Sequence, residues 1–265
     1  MPDANHALIV ERDGAVAVLI NNRPPMNRMT MEYMDALEAV LPDLAADPGV
    51  RALLFTAAGT EHFSVGMDLK ELMTRADARG GFGAVLDQRR KVLSMIESMP
   101  KPSVATLFGY CLGGGLELPL ACHLRVAASE GARIGLPELD IGTMPAWGGT
   151  ARLSRLVGSG RALDMILRAR KISGPEALAI GLVTEVYPLD ELKPRALALA
   201  HELAARPATA VGGVLGCIVG GADLPLDAAL DAERAAVDRC ASSPDQREGM
   251  LAFVQKRPPV FNQPG

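Results

Sequence analysis

Apolar residues recur at two different periods along this 265-residue chain, and the balance between them shifts with position. Ala15–Asn21, Val50–Thr56 and Ser103–Phe108 are short, nearly continuous apolar runs, the pattern of strands buried on both faces. Leu124–Ala128, Ala132–Gly135 and Val183–Tyr187 read as further strands. The first run follows an Asp13-Gly14 turn that reverses the chain from Ala7–Arg12. Between the strands the period lengthens. Met34, Leu37, Val40, Leu41 and Leu44 line one face of a helix over Met31–Ala46, with Thr30 placed to cap it. Gly83–Met99 predicts a long amphipathic helix stopped by Pro100, and Asp68–Met73 and Gly115–Ala121 predict short ones. This alternation implies an α/β fold in which each helix returns the chain to a new strand. From Gly148 the character changes. Gly149–Val157, Ser159–Arg168 and Pro175–Ile180 read as short helices. Leu192–Ala205, Ala208–Ile218 and Leu226–Ser242 read as longer ones. The pattern divides the chain into a core over 1–190 that holds the site and a helical region over 191–265.

Composition narrows the picture. Hydrophobic residues make up 49% of the chain but aromatics only 4%, so aliphatic side chains must fill the core. A net charge of −4 with no long run of one sign leaves no electrostatic footprint for nucleic acid or an anionic membrane. No apolar stretch approaches the length of a membrane span, and the N-terminus lacks a basic segment followed by an apolar run. Cys111, Cys122, Cys217 and Cys240 form no C-x-x-C pair and no zinc-like cluster with histidine. Reduced thiols in a cytoplasmic protein are expected.

The candidate chemistry sits in two glycine-bearing stretches, Phe63-Ser-Val-Gly-Met-Asp-Leu-Lys-Glu71 and Gly109-Tyr-Cys-Leu-Gly-Gly-Gly-Leu-Glu117. Each places glycine at the start of a helix, where unpaired backbone N–H groups and a partial positive charge are found. Two such N–H groups converging on one oxygen make an oxyanion hole. Glu117 lies within four residues of the second glycine cluster, and Glu138 follows in Leu136-Pro-Glu-Leu-Asp140. Two carboxylates beside an oxyanion hole suit proton transfer at carbons next to a carbonyl. The glutamates are too far apart in sequence to share a helix face, so only the fold can bring them together. His6, His62 and His201 are scattered and complete no Ser-His-Asp set.

These stretches resemble the enoyl-CoA hydratase/isomerase, or crotonase, family. Asn22-Arg-Pro-Pro-Met-Asn27, Pro100-Lys-Pro102, Gly142-Thr-Met-Pro-Ala-Trp-Gly-Gly-Thr150, Gly181-Leu-Val183 and Phe253-Val-Gln-Lys-Arg257 carry the resemblance to the C-terminus. It implies a spiral of β-β-α units followed by a helical trimerisation region, in a homotrimer or a hexamer built as a dimer of trimers. Matching positions make the Met67 and Gly114 N–H groups the oxyanion donors and Glu117 and Glu138 the catalytic pair. The implied reaction is reversible addition of water across the 2,3 double bond of a 2-enoyl-CoA. No metal or other cofactor is implied, because the CoA thioester is itself the substrate. The resemblance assigns CoA or substrate contacts to Arg23, Met26, Gly66, Asp68, Leu69, Lys70 and Gly113, with Phe253 and Lys256 reaching the CoA of a neighbouring subunit.

Two positions depart from the family pattern. Pro145-Ala146-Trp147 replaces the usual small residues after the proline, so Trp147 either lines the acyl pocket or packs against the next subunit. His123 stands where the family usually has aspartate, which reads as a structural change at a helix end. The scaffold also serves double-bond isomerases, thioester hydrolases and hydroxycinnamoyl-CoA hydratase-lyases, and non-catalytic members that bind acyl-CoA or RNA. Retention of both glutamates favours hydration.

Overall fold

Eight strands are present in a computed structural model that describes residues 6–263: β1 (Leu8–Asp13), β2 (Val16–Asn21), β3 (Ala52–Ala57), β4 (Ser103–Leu107), β5 (Tyr110–Leu112), β6 (Leu124–Ala128), β7 (Arg133–Gly135) and β8 (Glu185–Tyr187). Six of them form one sheet in the order β1-β2-β3-β4-β6-β8. Only β1 and β2 pair antiparallel, and because Asp13 faces Val16 the tight turn is Gly14-Ala15 rather than Asp13-Gly14. The remaining neighbours are parallel. Parallel strands need crossovers, and these are supplied by helices. β3 and β4 are buried along their whole length, which accounts for their unbroken apolar sequence. β5 and β7 make a separate two-stranded parallel sheet.

Eleven α-helices are described: α1 (Met31–Ala46), α2 (Leu69–Arg75), α3 (Phe82–Glu97), α4 (Gly114–Ala121), α5 (Gly149–Val157), α6 (Ser159–Leu167), α7 (Gly174–Ala179), α8 (Leu189–Ala204), α9 (Ala208–Leu215), α10 (Leu226–Ala241) and α11 (Pro244–Val254). Thr30 caps α1 by accepting the Tyr33 N–H, as its sequence predicts. α9 runs on into a π-helical turn over Gly216–Gly220. Helix α8 begins at the expected boundary near residue 190, but it belongs to the sheet core. Leu192, Ala196, Ala200 and Ala204 are buried, and the helix packs on β2, β3, β4, β6 and β8. Small alanines on this face let the helix lie close to the strands.

Beyond α8 the character is different. α9 has no buried residue, and α10 and α11 bury only Ala236 and Ala252. Val214, Ile218, Leu226, Leu230, Phe253 and Val254 are all more than half exposed. No single described helix is long and apolar enough to cross a membrane.

Arg125 locks α4 to the sheet. It is 6% exposed, and its guanidinium donates to the carbonyls of Pro119, Cys122 and Leu182. Burial lowers its pKa. Replacing it with methionine would take the guanidinium donor from all three carbonyls, although Pro119 keeps the Cys122 N–H. Arg125→Met is expected to lower stability by about 1–3 kcal/mol, measured as the urea midpoint at unchanged m-value.

Candidate active site

The site is organised around the start of α4. Gly113 precedes it with φ 56°, and the Gly114 N–H opens the helix. The loop ahead of α2 runs alongside. Gly66 has φ 92°, and a Cβ there would lie 2.7 Å from the Leu112 carbonyl oxygen and 3.3 Å from the Gly114 nitrogen. Only glycine lets the two loops approach this closely. Bridges between Ser64 and Cys111 and between Met29 and Met67 fix the loop in place. Among the described residues, neither the Met67 nor the Gly114 N–H donates to another backbone group.

Glu117 follows on the first turn of α4. Its side chain is 2% exposed. Oε1 accepts the N–H groups of Trp147 and Gly149, each at 2.8 Å. A Cβ on Gly149 would stand 2.8 Å from that same oxygen, so glycine is what admits the carboxylate. Oε2 has no protein hydrogen bond among the described residues, and the carboxyl borders a cavity. Burial raises the Glu117 pKa to about 7, opposed by the Gly149 and Trp147 N–H groups and by Arg152, while nearby Glu138 pushes it further up.

Glu138 arrives from a 3-10 turn over Glu138–Ile141. Its Oε1 lies 3.2 Å from the position a Cβ on Gly113 would take. Its Oε2 is buried without a partner. Burial raises its pKa as well. The two glutamates, 21 residues apart in sequence, thus meet at one cavity of about 530 Å³.

Gly66, Met67, Leu69, Gly113, Gly114, Glu117, Glu138 and Trp147 all border this cavity, which unites the centre of the expected site. Trp147 is 2% exposed within its own chain. Its ring presses on Gly114, where a Cβ would come within 2.4 Å of the indole. Packing against a neighbouring subunit is therefore not its role. Arg23, Met26, Asp68, Lys70, Phe253 and Lys256 do not border the cavity. Arg23 pairs with Glu32 at 2.7 Å, and Asp68 caps α2 by accepting the Glu71 N–H. Phe253 is 84% exposed at the end of α11. His123 is half-buried just past the end of α4 and bonded to Ser103, a structural placement. Among the described residues, no group of three or more His, Cys, Asp or Glu could hold a metal ion.

The rest of the lining is largely apolar, with Asp140, Thr143 and Lys171 as its polar members: Leu72 comes from α2, Phe82 and Leu86 from α3, and Ile141 and Met144 follow the second glutamate. Nothing in the sequence distinguished these from core residues, because Phe82 and Leu86 simply continue the helical stripe of α3. Behind the site, Arg152 on α5 donates to the Trp147 carbonyl at 2.9 Å and makes a two-pronged bridge to Glu97 at 3.0 and 2.7 Å. The Gly148-Gly149 pair was the available signal for this crowding.

Two unbound N–H groups, one at a helix start and one in the loop beside it, with two carboxyls at the same cavity on a mainly parallel α/β scaffold, define a protein of the crotonase fold. The enoyl-CoA hydratase/isomerase family matches residues 11–264, and the chain belongs to that family. It is 36% identical over 251 residues to the short-chain-enoyl-CoA hydratase of Clostridium acetobutylicum, covering 94% of this chain and 95% of that one. It is also 36% identical to the crotonyl-CoA hydratase of Syntrophomonas wolfei, with coverage of 96% and 97%. Among solved structures it resembles enoyl-CoA hydratases from Geobacillus kaustophilus (TM-score 0.92, 33% identity, 97% of each chain) and Bacillus anthracis (TM-score 0.89, 32% identity, 97% and 99%).

The raised Glu117 pKa has a consequence for stability. A carboxyl whose folded pKa lies above its unfolded value favours the folded state only while neutral. That contribution is complete below pH 4.5 and is lost as pH rises through about 7. Glu117→Gln stays neutral and can keep both N–H bonds. It is expected to melt above the wild type at about pH 8–9, by up to about 3 kcal/mol, with the gain vanishing near pH 4. Thermal melts across pH check this.

Proposed function

We propose that the protein is a 2-enoyl-CoA hydratase, adding water reversibly across the 2,3 double bond of an acyl-CoA thioester. The observation that carries this reading is the meeting of both glutamates and two unbound N–H groups at one cavity. The names of the relatives support it.

In this reading the thioester oxygen accepts hydrogen bonds from the Met67 and Gly114 N–H groups. Charge grows on that oxygen as the enolate forms, and each donor contributes roughly 2.7–4 kcal/mol to the barrier reduction. The helix start at Gly114 adds its partial positive charge. Two N–H donors and Arg152 offset part of the burial penalty on Glu117 and leave its pKa at about 7, so at and above neutral pH it serves as the base that takes a proton from water. Glu138 has a buried oxygen without a partner, which favours the protonated form. It delivers a proton to the α-carbon as the water oxygen bonds to the β-carbon. Proton exchange between the two carboxyls then restores the starting state.

The acyl chain lies against Leu72, Phe82, Leu86 and Met144, which select an apolar tail. Arg23, Met26, Asp68 and Lys70 serve the CoA portion at the entrance, and Phe253 and Lys256 serve the CoA of a neighbouring subunit. The exposed apolar residues of α9–α11 suit a homotrimer, alone or paired into a hexamer. The reaction calls for no metal or redox group.

The test is loss of the conjugated enoyl-thioester absorbance with crotonyl-CoA. Wild type should hydrate it, and Glu138→Gln should reduce kcat by about 10²–10⁴-fold. No hydration of crotonyl-CoA or of longer 2-enoyl-CoAs, with CoA thioesters still bound, would sink the proposal. On the acyl side, a terminal carboxylate should lower kcat/KM by about tenfold or more against an uncharged chain of the same length, because the wall it meets is apolar and Lys171 at the rim is already paired with Asp140. Equal values for the two would remove the apolar-tail assignment.

A further inference from the structure

Trp147 connects three parts of the site that are far apart in sequence. Its N–H donates to Glu117, its carbonyl accepts from Arg152, and its ring lies on Gly114. The Arg89 guanidinium stands 5.9 Å above the same ring. Arg152 is itself fixed from behind. Its side chain is only 12% exposed, and both prongs of its bridge to Glu97 are short. It also passes tightly under Gly148, where a Cβ would lie 2.4 Å from Nη1. The line Glu97–Arg152–Trp147–Glu117 is thus unbroken from α3 to the carboxyl on α4.

We infer that Arg152, oriented by Glu97, is a positioning residue for Glu117: it holds the Trp147 peptide so that its N–H fixes one carboxyl oxygen, and its charge favours the ionised carboxyl. This rests on the reading of Glu117 as the proton-handling group. A bridge that merely tied α3 to α5 would need neither the contact to the Trp147 carbonyl nor the closeness to Glu117.

The charged groups around Glu117 are few. Glu138 faces it from the 3-10 turn and raises its pKa, and Arg152 faces it from α5 and lowers it. Glu97 lies behind Arg152 and partly neutralises it. Arg89, on α3, is on the indole ring rather than on the carboxyl. Lys171 and Asp140 pair with each other at the cavity rim, at 3.5 Å. Removing the Arg152 charge should therefore move the Glu117 titration up. Removing the Glu97 charge leaves Arg152 less compensated and should move it down. A purely mechanical bridge would respond alike to both changes.

Trp147 is the only tryptophan in the chain, so its fluorescence reports this spot directly. The experiment is a fluorescence pH titration of the substrate-free protein, with Glu117→Gln identifying the transition that belongs to Glu117. Arg152→Met should raise that midpoint by about one unit, Glu97→Gln should lower it, and Arg152→Lys should return it towards wild type. In parallel, the acid limb of the crotonyl-CoA kcat profile should follow the same order. Arg152→Met should lose about 10–100-fold in kcat with KM within about twofold. Midpoints that coincide in all variants, shifts of the same sign in Arg152→Met and Glu97→Gln, or the absence of a Glu117 transition would each overturn the inference. Should Arg152→Met fail to fold, the Glu97→Gln and Arg152→Lys midpoints decide it alone. Absence of hydration in the wild type would sink the hydratase reading, while the titration would still decide this one.

Discussion

A carboxyl buried to 2% exposure needs partners, and the fold supplies Glu117 with two peptide N–H groups at 2.8 Å. Much of the site follows from that one constraint. The peptides of Trp147 and Gly149 must reach the first turn of α4, so the loop before α5 has to fold back across the cavity. Gly149 must lack a side chain, because the carboxyl occupies its space. The same fold-back puts the indole of Trp147 against Gly114 and the guanidinium of Arg152 behind the loop. Desolvation and hydrogen bonding then compete at the carboxyl, and the balance leaves its pKa at about 7, within reach of either protonation state.

Much of the fold was legible in the chain, and the legible parts share a cause. Helix α1 occupies the expected span with its expected cap because its apolar stripe, capping threonine and tertiary burial all agree. The buried strands β3 and β4 were visible because both faces demand apolar residues. β5 was missed. Three residues between glycines carry no periodicity, and only pairing with β7 makes them a strand. α11 was missed for the opposite reason. It buries only Ala252, so no stripe marks it, although Ser243 followed by Pro244 forms a cap and first-turn signal. The packing of α8 was not legible, because an alanine-rich face reads as a generic helix whether it packs on a sheet or on another helix.

For the site, the motifs gave the residues that meet at the cavity, since backbone N–H groups and carboxyls leave glycine and glutamate signatures. What they could not give is the arrangement around Trp147. The sequence left it between the acyl pocket and a subunit contact, and the fold places it at the cavity against Gly114. The apolar wall was equally silent, because a leucine that faces a ligand is chemically the same as one that faces the core. Lys256 and Phe253, at the end of α11, stand apart from the cavity in this chain.

Gly114 and Glu117 are the first and fourth residues of one eight-residue helix whose residues are all buried. An N–H at the first position and a carboxyl one turn later are joined by covalent bonds and helical hydrogen bonds alone. Their spacing is therefore indifferent to breathing of the sheets around them. When the surrounding layers shift, α4 moves as a block, carrying donor and carboxyl together like two jaws cut from one piece of metal. Distortions fall instead on the Met67 loop and on Glu138, which belong to other segments. The chain's tolerance to drift is thus unevenly shared: half of the site carries its own ruler, and the other half has to be aligned to it.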